Sequence, residues 1–246
     1  MTILAQEIEK PTIFVAPISK WMGIEKLLTR VINRGYDKPR YKYNIILTPR
    51  IQDGLIQDFV IDDNDNAIFA LCVIPASSRN IQVEEKDDKN AVTKKLIRNY
   101  PIGNLNLEGL QVETNVTQLL TDSSLKTLEG RILGTVCLKN YSSDKHGLEI
   151  TGFTSFYPKL SPQLLKFVKI YSYEQLKAQK LWVEVIQEHD LVPYYEKQGF
   201  TLLDTILCVV DTKTQQSSDQ PLEDGIKASR DFHVALMSMS TTVNSK

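Results

Sequence analysis

One stretch, Leu181–Phe200 (LWVEVIQEHDLVPYYEKQGF), limits the possible folds more than any other. Its apolar opening, Leu181–Ile186, reads as a strand. An acidic turn, Gln187–Asp190, leads into a short helical segment with two adjacent tyrosines, and Gly199 closes it before Phe200. Upstream, Leu148–Phe156 (LEITGFTSF) reads as another strand. Between them, Ser161–Gln179 reads as a helix with Leu164, Leu165, Val168 and Tyr171 on one stripe. Ser161 is expected to cap that helix, and Pro162 suits its first turn, where a missing N–H costs little. Residues 148–186 are therefore a predicted β-α-β unit with parallel strands and a right-handed crossover.

The flanks must complete the sheet. Thr12–Ala16 predicts a strand, and Ser19–Val31 a helix that ends at Asn33–Tyr36, with Gly35 free to turn left-handed. Tyr36–Tyr43 interleaves Lys38, Arg40 and Lys42 with tyrosines and reads as a solvated loop or pocket rim. Leu55–Ile61 and Ala67–Ile74, separated by Asp and Asn, predict a hairpin. Arg131–Lys139 should pair antiparallel with Leu148–Phe156, while Thr201–Asp211 and Asp231–Met239 supply the last strands. Residues 77–128 read as an insertion, with a charge run (Val83–Asn90) and a short helix (Ala91–Tyr100). The expectation is one α/β domain over residues 11–240, between a loose arm (1–10) and a loose tail (241–246).

The balance of 29 basic against 30 acidic residues gives a net charge of −1, so no global field points to nucleic acid or an anionic membrane. The longest apolar run, Ala67–Ala76, is far short of the ~20 residues a membrane span needs. The first ten residues lack the basic-then-apolar pattern of a secretory signal. Cys72, Cys137 and Cys208 each sit alone in an apolar run, which suits buried thiols in a reducing compartment. The expectation is a cytoplasmic protein, or one of cytoplasm and nucleus, without nucleic-acid or membrane partners. The three histidines fall at no metal-ligand spacing with the cysteines, and no metal is expected.

The element order and the sequence YEKQGF at 195–200 resemble the GNAT superfamily of acyl-CoA-dependent N-acyltransferases. The resemblance is good over about a quarter of the chain and rests on element order elsewhere. It implies a GNAT-type fold: a mixed, mostly antiparallel sheet with a central β-α-β unit and helices on both faces. It also implies acetyl-CoA as cosubstrate and a small-molecule amine as acceptor. The pantetheine arm would lie along the main chain of Phe153, Thr154 and Ser155, and the pyrophosphate at the amides of Gln163, Leu164 and Leu165. The family's loop before this helix is glycine-rich; here it reads Phe156-Tyr-Pro-Lys-Leu-Ser161, with Lys159 and Ser161 in place of glycines. Lys159 would offer an ammonium to a phosphate instead.

Acetyl transfer to an amine needs a base for the ammonium and an acid for the departing thiolate. By the resemblance Tyr195 is the acid and Glu149 the leading base, with Glu184, Glu188, His189 and Asp190 as rivals. Tyr194 is expected to face the core and Asp190 to cap the tyrosine helix. The missing glycines keep an alternative open: a non-catalytic binding or scaffold module on the same fold.

Overall fold

Ile68–Val73 (IFALCV) is buried at every position, so it needs sheet neighbours on both sides and cover on both faces. The computed structural model, which describes residues 10–59, 67–75, 105–217 and 225–242, supplies them. The strands are β1 (Thr12–Pro17), β2 (Ile68–Val73), β3 (Gln111–Glu113), β4 (Ile132–Tyr141), β5 (Asp144–Ser155), β6 (Lys180–Ile186), β7 (Thr201–Cys208) and β8 (Phe232–Ser240). They form one sheet in the order β3-β1-β2-β4-β5-β6-β8-β7. Only β1/β3 and β5/β6 are parallel. The mixed, mostly antiparallel sheet with a central β-α-β unit is thus the architecture the sequence implied.

The helices are α1 (Glu25–Tyr43), α2 (Leu55–Phe59), α3 (Asp122–Arg131), α4 (Leu160–Glu174) and α5 (Val192–Lys197). Local contacts place α1 and α4 on opposite faces. A Cβ built on Gly134 would meet Leu160 and Leu164 of α4, whereas one on Gly35 of α1 would meet Thr154. The Thr154 hydroxyl lies 2.8 Å from that of Thr135, the neighbour of Gly134 on β4, and adjacent strand residues point to opposite faces.

Three expectations require correction. The first helix does not end at Gly35; α1 runs on to Tyr43 and takes in the basic-aromatic segment. Gly35 is there for close approach, since its Cβ would stand 2.4 Å from Thr154 Cγ2. Asn44, at φ 51°, makes the left-handed stop instead. Second, Leu55–Phe59 is a helical turn whose buried Leu55 and Phe59 share one face at i, i+4 spacing. It makes no hairpin with β2, whose antiparallel partners are β1 and β4. Third, α4 starts at Leu160, so Lys159, at φ 64°, holds the cap position expected of Ser161. The expected charge run and helix within residues 83–100 lie outside the described residues.

Candidate functional site

β5 and β6 pair over only three residues, Gly147–Glu149 with Lys180–Trp182. Beyond that seam β5 continues to Ser155 alongside β4, and β6 continues to Ile186 alongside β8, with no pairing between them. The two parallel strands therefore separate toward their carboxyl ends, where ligands of open α/β sheets enter. A bulge helps to bend β5. Thr135 pairs with Thr154 and Cys137 with Thr151, so two residues of β5 stand opposite one of β4. Gly152 takes the extra position at φ 54°, and a Cβ there would press on Phe59 of α2 at 2.7 Å.

Phe153, Thr154 and Ser155 lie on the wall of this gap. Thr154 is locked in place: its hydroxyl accepts the Thr135 N–H (3.1 Å) and bonds the Thr135 hydroxyl. On the edge facing β6 the main chain of these residues has no strand partner among the described residues. An extended ligand arm finds the groups there that an added strand would use.

At the mouth of the gap stands the N-terminus of α4. The amides of Gln163, Leu164 and Leu165 fall four residues after carbonyls of the helix or its cap, so the helical ladder consumes them. Of the earlier amides, that of Leu160 donates to Tyr157 O (3.2 Å), and Pro162 has none. Ser161 is left to meet an anion, with the exposed Lys159 at the cap position two residues before it. This cradle is sparser than the one the resemblance implied, and it is centred one turn earlier.

Both tyrosines of α5 pack inward. Tyr195 is only 7% exposed and meets Phe200 and Tyr194 edge-on, at ring distances of 5.3 and 5.2 Å. Burial, reinforced by nearby Tyr36 and Tyr194, pushes its hydroxyl far above the ordinary tyrosine range. Tyr194 packs against the core, as expected. It is half-buried, and its hydroxyl is shut from solvent beside Ser161 without a well-directed hydrogen bond. An orphaned buried hydroxyl at the start of α4 suits a polar group of a bound ligand. The gap-facing main chain, Ser161, Lys159 and Tyr194 together fit an acyl-CoA arm and its phosphates.

Glu149 lies at the closed end of the gap, opposite Trp182 in the seam. Its carboxylate pairs with Lys139 at 3.5 Å, both side chains mostly buried. The same sheet face carries Tyr141, which stacks on Trp182 (4.7 Å) and donates to Glu184 (3.2 Å). Burial and the two carboxylates, Glu184 foremost, push the Tyr141 hydroxyl up to about 12.

The open end holds a pair that the sequence did not single out. Glu188, past the end of β6, accepts the backbone N–H of His233 (3.0 Å) and bonds its ring Nδ1 (2.8 Å). Burial alone would raise the Glu188 carboxyl, but the two His233 hydrogen bonds outweigh it and hold it low. A carboxylate on Nδ1 fixes the ring and leaves Nε2 outward. Nearby, His189 stacks on Tyr43 (4.9 Å), and Asp190, rather than capping α5, turns left-handed to accept the Tyr43 hydroxyl (2.9 Å). These groups meet because β6 and β8 are antiparallel neighbours and α1 ends above them, an adjacency between residues far apart in the chain. Among the described residues no group of three or more His, Cys, Asp or Glu is arranged to hold a metal, and no helix is long and apolar enough to cross a membrane.

Solved structures to which this chain is similar include an N-acetyltransferase from Staphylococcus aureus, 10% identical over 94% of this chain and 97% of that one, with a TM-score of 0.46. The spermidine/spermine N-acetyltransferase of Vibrio cholerae is 18% identical with a TM-score of 0.33, over 46% of this chain and 60% of that one, less than two thirds of its length. A Saccharomyces cerevisiae relative, the sporulation protein RMD6, is 27% identical over 223 residues, 85% of each chain. A family model described as sporulation protein RMD6 matches residues 16–241, and the chain therefore belongs to the RMD6 family.

Proposed function

We propose that this chain transfers an acyl group, acetyl in the simplest case, from a CoA thioester to an amine of a small molecule. The observation that carries this reading is the unpaired edge of β5 beyond Glu149, opened by the bulge at Gly152 and overlooked by α4 and α5. Bound acetyl-CoA would supply the activated thioester. Phe153–Ser155 then hold its arm by main-chain groups, and Ser161, Lys159 and Tyr194 meet its polar end.

Tyr195 suits the acid role in one respect: burial keeps its hydroxyl protonated at any physiological pH. Glu149 is a less accessible base candidate, because Lys139 holds its carboxylate at the closed end of the gap. His233, oriented by Glu188 at the open end, is the better-placed base for an incoming ammonium. Glu149→Gln and His233→Gln separate the two. The residue that supplies the base loses the acidic limb of its kcat/KM–pH profile when substituted.

A second reading, a binding module without turnover, is favoured by the sparse amides at the start of α4. The experiment is a thermal melt with acetyl-CoA and with desulfo-CoA, followed by thiol release across an amine panel. A ligand bound only by the folded state raises stability by ~2.7 kcal/mol at a hundred times its Kd. Absence of any shift with either compound sinks both readings of the gap as a CoA site. A shift without thiol release selects the binding module.

A further inference from the structure

The far edge of the sheet is unfinished. β7 is exposed at seven of its eight positions, on both faces, and among the described residues it pairs only with β8. Of the eight large hydrophobic residues exposed among the described residues, five fall in this one segment: Leu202, Leu203, Ile206, Leu207 and Val209, each 38–53% exposed. The strand has no lysine and no proline to guard its open edge, and its one charge is Asp204; a bulge at Leu203 interrupts it near its start, and from Asp204 to Cys208 it is regular. The opposite edge, β3, is only three residues long and leaves little to pair with.

We propose that β7 joins two copies of this chain, pairing antiparallel with its own counterpart across a two-fold axis at Thr205. An exposed edge needs an extended partner for its main chain, and the apolar side chains on both faces need cover from that same partner. A second copy of β7 meets both needs, because the strand is self-complementary in this register. Thr205 then faces Thr205 of the other copy, a favourable cross-strand pair in the part of the strand, Asp204–Cys208, whose pairing with β8 is regular. On the other face each Asp204 stands opposite Ile206, so the two carboxylates are not directly opposed. The five side chains expose on the order of 400 Å² of apolar surface per copy, about half of the ~800 Å² a stable interface takes from each partner. The open main chain of the strand adds to that area. Two-fold pairing also closes the assembly at a dimer.

In the single chain the Asp204 carboxylate accepts the Thr205 N–H (2.7 Å), which blunts the middle of the edge. Dimer pairing replaces that bond, so Asp204→Ala should tighten association.

The test is sedimentation velocity of the full chain across the micromolar range. The expected result is a dimer that becomes a folded monomer in Leu203→Lys and in Leu207→Lys; both residues are about half exposed, so each variant should keep its fold by circular dichroism. Thr205→Cys provides an independent readout. Antiparallel partners sit ~4.5–5.5 Å apart at Cα, within disulfide range, so mild oxidation should give a covalent dimer. The native cysteines are buried and should not compete. A wild-type monomer across the range, a dimer indifferent to both lysines, or a Thr205→Cys dimer that does not cross-link overturns the proposal.

Discussion

His189 shows what burial does to a single side chain. Desolvation against Tyr43, opposed only in part by Glu188 and Asp190, lowers its pKa from 6.5 to about 4, so it is neutral in the folded chain at physiological pH. The unfolded chain binds a proton below about 6.5 that the folded chain refuses until about 4, so stability rises with pH across that window. Between pH 7 and pH 5 the loss from this residue alone is about 2 kcal/mol. Urea denaturation at the two pH values should show it, and His189→Phe, which keeps the stack on Tyr43, should remove most of the difference. Tyr195 carries the chemical prediction. Tyr195→Phe should lower kcat by about 10²-fold or more while leaving acetyl-CoA affinity by calorimetry unchanged; an unchanged kcat would make Tyr195 a packing residue only. Tyr195 stood out in the sequence because a local pattern, YEKQGF, frames it. Glu188–His233 and Tyr43–Asp190 did not, because each joins residues 45 or more apart. No local pattern records such a meeting.

Among the elements, α1 departs furthest from expectation, and Gly35 explains the departure. Glycine weakens an isolated helix by roughly 1 kcal/mol relative to alanine, which makes it a reasonable stop signal in a sequence. Here the packing reverses that sign. Gly35→Ala should lower stability by about 1–3 kcal/mol despite the better helix former, because the new methyl meets Thr154. A double-mutant cycle with Thr154→Ala checks the mechanism, since removing Thr154 Cγ2 should recover part of the loss. Additive effects would place the cost elsewhere. The short helix α2 was illegible for another reason. Leu55 and Phe59 are spaced for a helix, yet an apolar run of that length next to turn residues fits a strand equally well. The longer units, β5-α4-β6 and the β4/β5 pair, were readable because period and length agreed.

For the molecule as a whole, the sheet is two blocks joined by a seam of three residue pairs. The block from β3 to β5 is bonded along its full width, and so is the block of β6, β8 and β7. Native-state hydrogen exchange should reflect this. Amides of β5 that face the gap, within Thr151–Ser155, should exchange far faster than those of buried β2. Acetyl-CoA should slow them selectively; no change on saturation would place its arm elsewhere. The sequence could announce a parallel unit but not how briefly it pairs, because β5 and β6 follow the strands on their outer edges, β4 and β8, and the two courses part after three residues. The bulge at Gly152 settles where that separation grows. β5 spends three steps, Thr151 to Thr154, where β4 spends two, Cys137 to Thr135. The width of the opening is therefore written as a count of residues rather than as a choice of them. Shortening β5 by one residue at this point would straighten the strand and narrow the crevice with every other side chain unchanged, whereas substitutions along its wall would alter only what it grips.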